Sequence, residues 1–239
     1  MKLRSKMSRF AFLSLGIGFA AVHPVFADGA TVTGKASFEG AAPSREKIKM
    51  AADPVCLAQH KEPVLSEEVV VNNGGLQNVV VYVKEGLTGK SFPAPTTPVV
   101  IDQQGCQYHP HVFGIQVGQP LEIRNSDATL HNINAQPKLN KRFNIAQPTQ
   151  GMKITKSFDK AEAPVPFKCN VHPWMNAYAV VLDHPFFCAT GEDGSFTLKG
   201  LPAGTYTLEA WHEKLGTQSA KVTVADGEAK QVNFSFKGK

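Results

Sequence analysis

Seven residues in the second half of the chain, CNVHPWM at 169–175, include three side chains that can bind a metal ion. Cys169, His172 and Met175 follow the spacing C-x2-H-x2-M, which lets one tight loop direct all three at a single ion. A further imidazole, His131, lies upstream in NSDATLHN, after a pair of predicted strands. Two imidazoles, one thiolate and a thioether suit copper in both oxidation states. The sequence therefore predicts one copper ion bound by these four residues.

Other interpretations of these and the remaining histidines are weaker. Zinc could use the cysteine and two histidines, but methionine is a poor zinc ligand. A dinuclear copper centre needs a second cysteine in the same loop, and the loop has one. His109 and His111 lack the further ligands that a metal site needs, so we expect both to be ordinary polar residues at a strand edge. His184 and His212 are expected to be hydrogen-bonded or exposed.

The elements that must position this loop are strands. Val232, Phe234 and Phe236 alternate with polar residues at period two, which is typical of a strand buried on one face. Residues 45–60, interrupted by Pro54, are the one segment with helical character. Turn sequences containing Gly, Pro and Asn separate the runs. The predicted fold class is an all-β sandwich, with strands at 31–38, 76–83, 111–117, 120–125, 165–169, 177–182, 194–198, 205–211, 221–224 and 231–236.

The segments GQPLEIRNSDATLHN and FKCNVHPWMNAYAVVLD resemble the cupredoxins, and within them the amicyanins, which have a short C-x2-H-P-x-M loop. The likeness extends over residues 98–183. It implies a Greek-key β-sandwich with one type 1 copper ion as cofactor. It also implies that His131, Cys169, His172 and Met175 are the copper ligands.

The same resemblance implies supporting roles beside the ligands. Asn132 matches the residue that braces the cysteine-bearing loop in cupredoxins. Pro173 and Trp174 are apolar neighbours of His172, whose ring edge is the usual electron port in that family; amicyanins have another aromatic at the position of Trp174. We expect His172 to lie near the surface and to leave reduced copper when it is protonated in acid.

The segment between His131 and Cys169 is rich in basic residues. If these residues surround His172, they favour a partner with an acidic rim and make electron transfer sensitive to salt. An ordinary solvated loop is an equal alternative. The residues concerned are Lys138, Lys141, Arg142, Lys153 and Lys156.

Three cysteines remain once Cys169 is assigned to the metal. They permit one disulfide and one free thiol. Cys56 and Cys106 lie in polar segments flanked by turns, whereas Cys188 lies in the apolar run PFFCATG. We therefore favour a Cys56–Cys106 disulfide. A second metal site using Cys56 and His60 is an alternative without further ligands nearby in sequence.

The first 27 residues have the pattern of a secretory signal peptide. A basic start, MKLRSKMSR, precedes an apolar run of 13 residues, FAFLSLGIGFAAV, which is too short to span a membrane. Cleavage after Ala27 would release a protein without a membrane span into the periplasm, where disulfides can form. The segment holds four of the 25 basic residues, so 21 basic and 20 acidic residues follow it. This near balance excludes nucleic-acid binding driven by bulk charge.

The regions on either side of the copper-binding stretch carry a second resemblance. VTGKASFEGAAP and LQNVVVYVKE before it, with DGSFTLKGLPAGTYTLEAW and VNFSF after it, resemble the carboxypeptidase regulatory-like, transthyretin-like sandwich. The simplest organisation inserts the cupredoxin domain, 98–184, into a loop of that sandwich, whose halves are 28–97 and 185–239. The alternative is two sequential domains.

Three functions fit these features. The first is an electron carrier, not an enzyme, that exchanges single electrons with a periplasmic redox protein such as a c-type cytochrome or a dehydrogenase. Four protein ligands leave copper no open position for a substrate. The second function is copper storage or delivery, and the third is a structural binding module with an incidental metal. Strong visible absorption by a Cu(II)–thiolate bond distinguishes the first from the others.

Overall fold

The computed structural model describes residues 29–238, so the predicted signal peptide, 1–27, lies outside the described residues. The described part contains nineteen strands and one short helix. The helix is α1 (Pro54–Ala58). The strands are β1 (Ala30–Glu39), β2 (Val71–Asn72), β3 (Gly75–Leu76), β4 (Val80–Glu85), β5 (Val99–Gln104), β6 (Gln107–His109), β7 (Val112–Gln116), β8 (Leu121–Asn125), β9 (His131–Ala135), β10 (Phe143–Gln147), β11 (Lys153–Lys156), β12 (Glu162–Lys168), β13 (Asn176–Leu182), β14 (Phe187–Ala189), β15 (Ser195–Leu201), β16 (Gly204–His212), β17 (Gly216–Val224), β18 (Ala229–Gln231) and β19 (Phe234–Lys237).

Strands from the two ends of the described chain form one sandwich, which we call the flanking sandwich. One of its sheets has the order β15-β1-β3-β2, with β18 and β19 also paired to β1, and the other has the order β14-β4-β16-β17. Phe234 and Phe236 of β19 are buried while Ser235 and Lys237 are exposed, which confirms the predicted alternation. Together with Phe196 and Leu208, these rings fill the space between the two sheets.

Strands β5 to β13 form a second sandwich, the central sandwich. Its sheets have the orders β10-β9-β12-β13-β7 and β11-β8-β5-β6. β13 runs parallel to β7, and β5 runs parallel to β8, whereas the other pairs are antiparallel. Phe158 and Phe167 lie at the centre of its core. β9 and β12 are adjacent and antiparallel. The first residue of β9 and the residues that follow β12 therefore lie at the same end of the sheet.

Residues 47–65, here called the cover segment, pack on the central sandwich. Met50 and Cys56 are buried in its core, and an isolated bridge joins Lys47 to Leu65. The helix predicted over 45–60 is wrong in extent, since α1 begins at Pro54 and ends at Ala58. Proline disfavours helix in the residue before it but suits the first helical turn. The helix therefore starts where the prediction placed an interruption.

The two sandwiches contact each other through side chains of β4, β7 and β13. Val80 and Tyr82 of the flanking sandwich pack against Val112, Val180 and Leu182 of the central sandwich. Within residues 29–238, the helix that the structure contains has neither the length nor the apolar character to cross a membrane.

Candidate metal centre

The loop from Cys169 to Met175 connects β12 to β13 and is closed by its own backbone. The amide of Cys169 donates to the carbonyl of Met175 at 3.1 Å, and the amide of Met175 donates to the carbonyl of His172 at 2.9 Å. The amide of His172 also donates to Cys169 Sγ at 3.3 Å. All three side chains are buried. The loop therefore places the thiol, the imidazole and the thioether inside the sandwich end, as the C-x2-H-x2-M spacing predicts.

His131 is the first residue of β9, and its side chain lies beside the loop. Its Nδ1 is 2.9 Å from Nδ1 of His172, and the ring centroids are 4.7 Å apart. Cys169 Sγ is 4.0 Å from the same His172 nitrogen. Ligand atoms of His131, Cys169 and His172 all lie within 4.8 Å of one another, and all three residues are buried. One ion could bind all three.

Both outer ring nitrogens contact carboxylates. His131 Nε2 is 2.8 Å from Asp127 Oδ2, and His172 Nε2 is 2.9 Å from Asp53 Oδ2. An ionised carboxylate only accepts hydrogen bonds, so each Nε2 carries a proton, and Nδ1 is the nitrogen of each ring that faces the other ring. The two Nδ1 atoms, 2.9 Å apart, need a proton or a metal ion between them, because two bare lone pairs would repel each other. The donor set therefore fits a bound cation.

The ionisation of the site follows from its hydrogen bonds. Burial lowers the pKa of His131, but hydrogen bonds to Asp127 and Cys169 outweigh it and raise the pKa to about 8. Burial raises the pKa of the Cys169 thiol, whereas hydrogen bonds from His131 and the backbone lower it, with a net shift below its ordinary value. This arrangement favours the thiolate, the form of cysteine that binds metals.

Asn132 links the two parts of the site. Its Oδ1 accepts from the amide of Asn170 at 2.6 Å and from Cys169 Sγ at 3.4 Å. Its carbonyl accepts from the Tyr108 hydroxyl at 2.5 Å. The side chain thus connects β9 to the cysteine-bearing loop, at the position where the cupredoxin resemblance implies a brace.

The cover segment lies over the other side of His172. Asp53 is the N-cap of α1, and Cys56 on that helix is joined to Cys106 by a disulfide, the pairing that the sequence favours. Cys56 Sγ is 3.5 Å from His172 Nε2. Trp174 packs on the His172 ring at 5.0 Å between centroids and donates from Nε1 to the carbonyl of Cys106 at 3.0 Å.

The expectation that His172 lies near the surface is wrong. The residue is 2% exposed, because the cover segment and Trp174 enclose its ring. Of its two predicted apolar neighbours, Pro173 is exposed while Trp174 is half-buried. Ready release of this imidazole in acid requires a surface position, which His172 does not have.

Of the two alternatives for the basic segment, a ring around His172 is not supported at Lys138, which lies at the far end of β12. The backbone amides of Lys138 and Leu139 donate to the carboxylate of Glu162, the first residue of β12. Cys169 follows the other end of that strand, about 20 Å away at roughly 3.3 Å per residue. Lys153 pairs with Glu122, and Lys156 lies over the Phe143 ring. The sequence does not show that Lys138 and Cys169 are far apart, because it does not reveal at which end of a strand each loop lies.

The other histidines do not join this site. The proposed strand-edge position of His109 and His111 is half correct: His109 is exposed at the end of β6, whereas His111 is buried and bonded to Glu213. His184 Nε2 donates to the carbonyl of Val83 at 2.8 Å. His60 Nε2 is 2.8 Å from the carbonyl of Gly105, so the alternative site with Cys56 lacks both a free thiol and this imidazole.

Asp53 and Asp127 were not among the residues predicted from the sequence to form the site. The spacing of Asp127 and His131, four residues apart in NSDATLH, was the available signal for one of them. Asp53 carried a helix-capping signal, since it precedes Pro54, but no local pattern connects it with His172. Two other groups of possible ligands include Cys56 or Cys106, and the disulfide removes the thiolates that they would need.

A carboxypeptidase regulatory-like domain model matches residues 179–237. No curated protein sequence matches the chain. Similar solved structures include a copper-containing nitrite reductase from Thermus scotoductus SA-01, with 21% identity and a TM-score of 0.33 over 41% of this chain and 25% of that one. They also include a purple cupredoxin from Nitrosopumilus maritimus, with 24% identity and a TM-score of 0.30 over 34% of this chain and 97% of that one. A Cu(I) amicyanin mutant has 17% identity and a TM-score of 0.31, over 42% and 97% of the two chains. The chain thus spans a quarter of the nitrite reductase's length.

Proposed function

We propose that the protein binds one type 1 copper ion and carries single electrons between redox partners. The observation that supports this most directly is the convergence of His131, Cys169 and His172 ligand atoms within 4.8 Å of one another in a buried site. Met175 closes the same loop and supplies a buried thioether residue. Copper prefers this combination of soft sulfur and imidazole donors in both of its oxidation states.

The bound copper would supply a reversible one-electron couple. The protein's part is to keep the donors in place: Asn132 fixes the cysteine loop, and the loop's own amides donate to Cys169 Sγ and the Met175 carbonyl. Donors that are already in position need little rearrangement when the charge on the metal changes. With four protein ligands, no position is left for a substrate, so we propose an electron carrier and not an enzyme.

The partner we propose is a periplasmic redox protein such as a c-type cytochrome or a dehydrogenase. Leu130 and Val171 are the neighbours of two ligands in sequence and are 41% and 43% exposed. Val55 on α1 is 40% exposed. The Asp53 carboxylate bonds to the Val55 amide and to Thr129 and His172, the residues next to Leu130 and Val171 in sequence. These side chains offer an apolar contact at the end of the sandwich that holds the site.

The test is to load the protein with Cu(II) and record its visible spectrum. A strong charge-transfer band is expected in the wild type and in Cys188→Ala, whose thiol lies outside the site. Cys169→Ala is expected to lose the band entirely. A colourless Cu(I)-binding protein would support copper delivery instead, and a Cys169→Ala variant that keeps the band would refute the assignment.

A further inference from the structure

We propose that Asp53 and Asp127 are positioning residues of the copper site, each binding the outer nitrogen of one imidazole so that both Nδ1 atoms point to one place. The inference rests on the proposed function and adds two carboxylates from outside the ligand loop. One of them belongs to the cover segment, which thereby becomes part of the metal centre.

Asp127 is fixed by several donors at once. Its Oδ2 contacts His131 Nε2 at 2.8 Å and accepts from the amide of Cys106 at 2.8 Å. Its Oδ1 accepts from the amide of Gly105 at 2.8 Å. The side chain is almost fully buried. With both oxygens occupied by backbone donors, the carboxylate cannot turn away, so the ring of His131 has one orientation.

Asp53 reaches the site from a distant part of the sequence. Its Oδ2 contacts His172 Nε2 at 2.9 Å and accepts from the Thr129 hydroxyl at 3.0 Å, while its Oδ1 accepts from the Val55 amide at 2.8 Å. Three residues further on, the Cys56–Cys106 disulfide attaches the segment to the central sandwich. The cover segment therefore fixes the second imidazole as Asp127 fixes the first.

These contacts have an electronic consequence as well as a geometric one. A carboxylate on the outer nitrogen makes a ligating imidazole a stronger donor and fixes its tautomer. Cu(II) has one more positive charge than Cu(I), and a nearby negative charge favours it more. The two carboxylates should therefore stabilise the oxidised site and lower its reduction potential.

The experiment compares Asp53→Asn with the wild type and with Asp102→Asn. Asparagine is as good an N-cap as aspartate, so α1 should remain. Asp102 accepts from the Ser126 hydroxyl at 2.8 and 2.9 Å and, among residues 29–238, has no hydrogen bond to an imidazole, so its variant removes the same charge without that bond. Asp53→Asn should bind Cu(II) about 10–100-fold more weakly. The loss of Cu(I) affinity should be smaller. Each tenfold difference between the two losses raises the reduction potential by about 59 mV.

The outcomes separate this inference from the proposed function. A coloured wild type in which Asp53→Asn matches Asp102→Asn in both affinities and in potential would refute the positioning role and leave the electron carrier standing. A wild type that binds no copper would refute both. Nitrogen NMR of the Cu(I)-loaded wild type is an independent measurement: protons on Nε2 of His131 and His172 are expected, and a proton on Nδ1 of either would overturn the inference.

Discussion

The contact between His111 and Glu213 joins the two sandwiches, and its removal gives a sharp test of the structure. His111 precedes β7 of the central sandwich, and Glu213 follows β16 of the flanking sandwich. Their side chains are 5% and 2% exposed, and His111 Nε2 is bonded to the Glu213 carboxylate. His111 Nδ1 is 3.1 Å from the carbonyl of Asn176. Glu213→Ala removes the counter-charge of a buried imidazolium and should cost about 3–5 kcal/mol of unfolding free energy at pH 6.

The cost should depend on pH in a defined direction. Burial lowers the pKa of His111, but the Glu213 hydrogen bond and the charges of Glu213 and Glu67 outweigh it and raise the pKa above its ordinary value. The folded protein therefore binds this proton more tightly than the unfolded chain does. The stabilisation is complete below about pH 6.5 and is lost as pH rises through the folded pKa. Once the pH is above the folded pKa, the cost should fall towards about 1 kcal/mol, that of a neutral hydrogen bond.

Neighbouring His212 acts in the opposite sense. Burial and the charge of His111 lower its pKa to about 4. Below about pH 6.5 the unfolded chain binds a proton that the folded protein rejects, so His212 removes stability between about pH 6.5 and pH 4. Measurements at pH 6 and pH 9 keep most of this second effect out of the comparison.

The assay is urea unfolding of the metal-free protein followed by tryptophan fluorescence. Trp174 packs on the central core, and Trp211 packs on the cluster between the sandwiches, so both regions are reported. Glu228→Ala is the matched control, because Glu228 is half-buried, bonds to Lys230 and the Ala225 amide and contacts no histidine within residues 29–238, so its loss should be small and equal at the two pH values. A Glu213→Ala loss that is equal at the two pH values, or below about 1 kcal/mol at pH 6, would refute the reasoning.

Two further predictions concern the metal centre and its partner. Met175→Leu should keep copper and raise the reduction potential, because loss of the thioether destabilises Cu(II) more than Cu(I); voltammetry measures it, and loss of all copper would contradict it. Alanine at Lys138, Lys141 and Arg142 together should leave the rate of electron transfer unchanged, since Glu162 holds that loop at the far end of β12. A slower rate in stopped-flow mixing with a c-type cytochrome would show that this end contacts the partner.

The sequence predicts those parts of the molecule that local spacing controls. Phe234 and Phe236 alternate with polar residues, and Cys169, His172 and Met175 lie within seven residues, so neither pattern needs knowledge of distant contacts. β5 and β11 escaped prediction because polar residues interrupt any regular alternation, and β10 because its alternation extends only over Phe143 to Ile145. The location of the Lys138 loop was not predictable for a different reason: position along the chain does not determine at which end of a strand a loop lies.

The environment of His172 shows why the rest of the site could not be predicted. Its outer nitrogen contacts Asp53, which lies 119 residues earlier and arrives only because α1 packs on the central sandwich. Nothing in DPVC or in CNVHPWM specifies that meeting, since each motif fulfils its own local role as helix cap or ligand loop. The contact exists because the Cys56–Cys106 disulfide and the buried Met50 attach the cover segment beside the loop. Local sequence therefore determines which atoms can bind the metal, whereas long-range packing determines how deeply they are buried and which charges surround them.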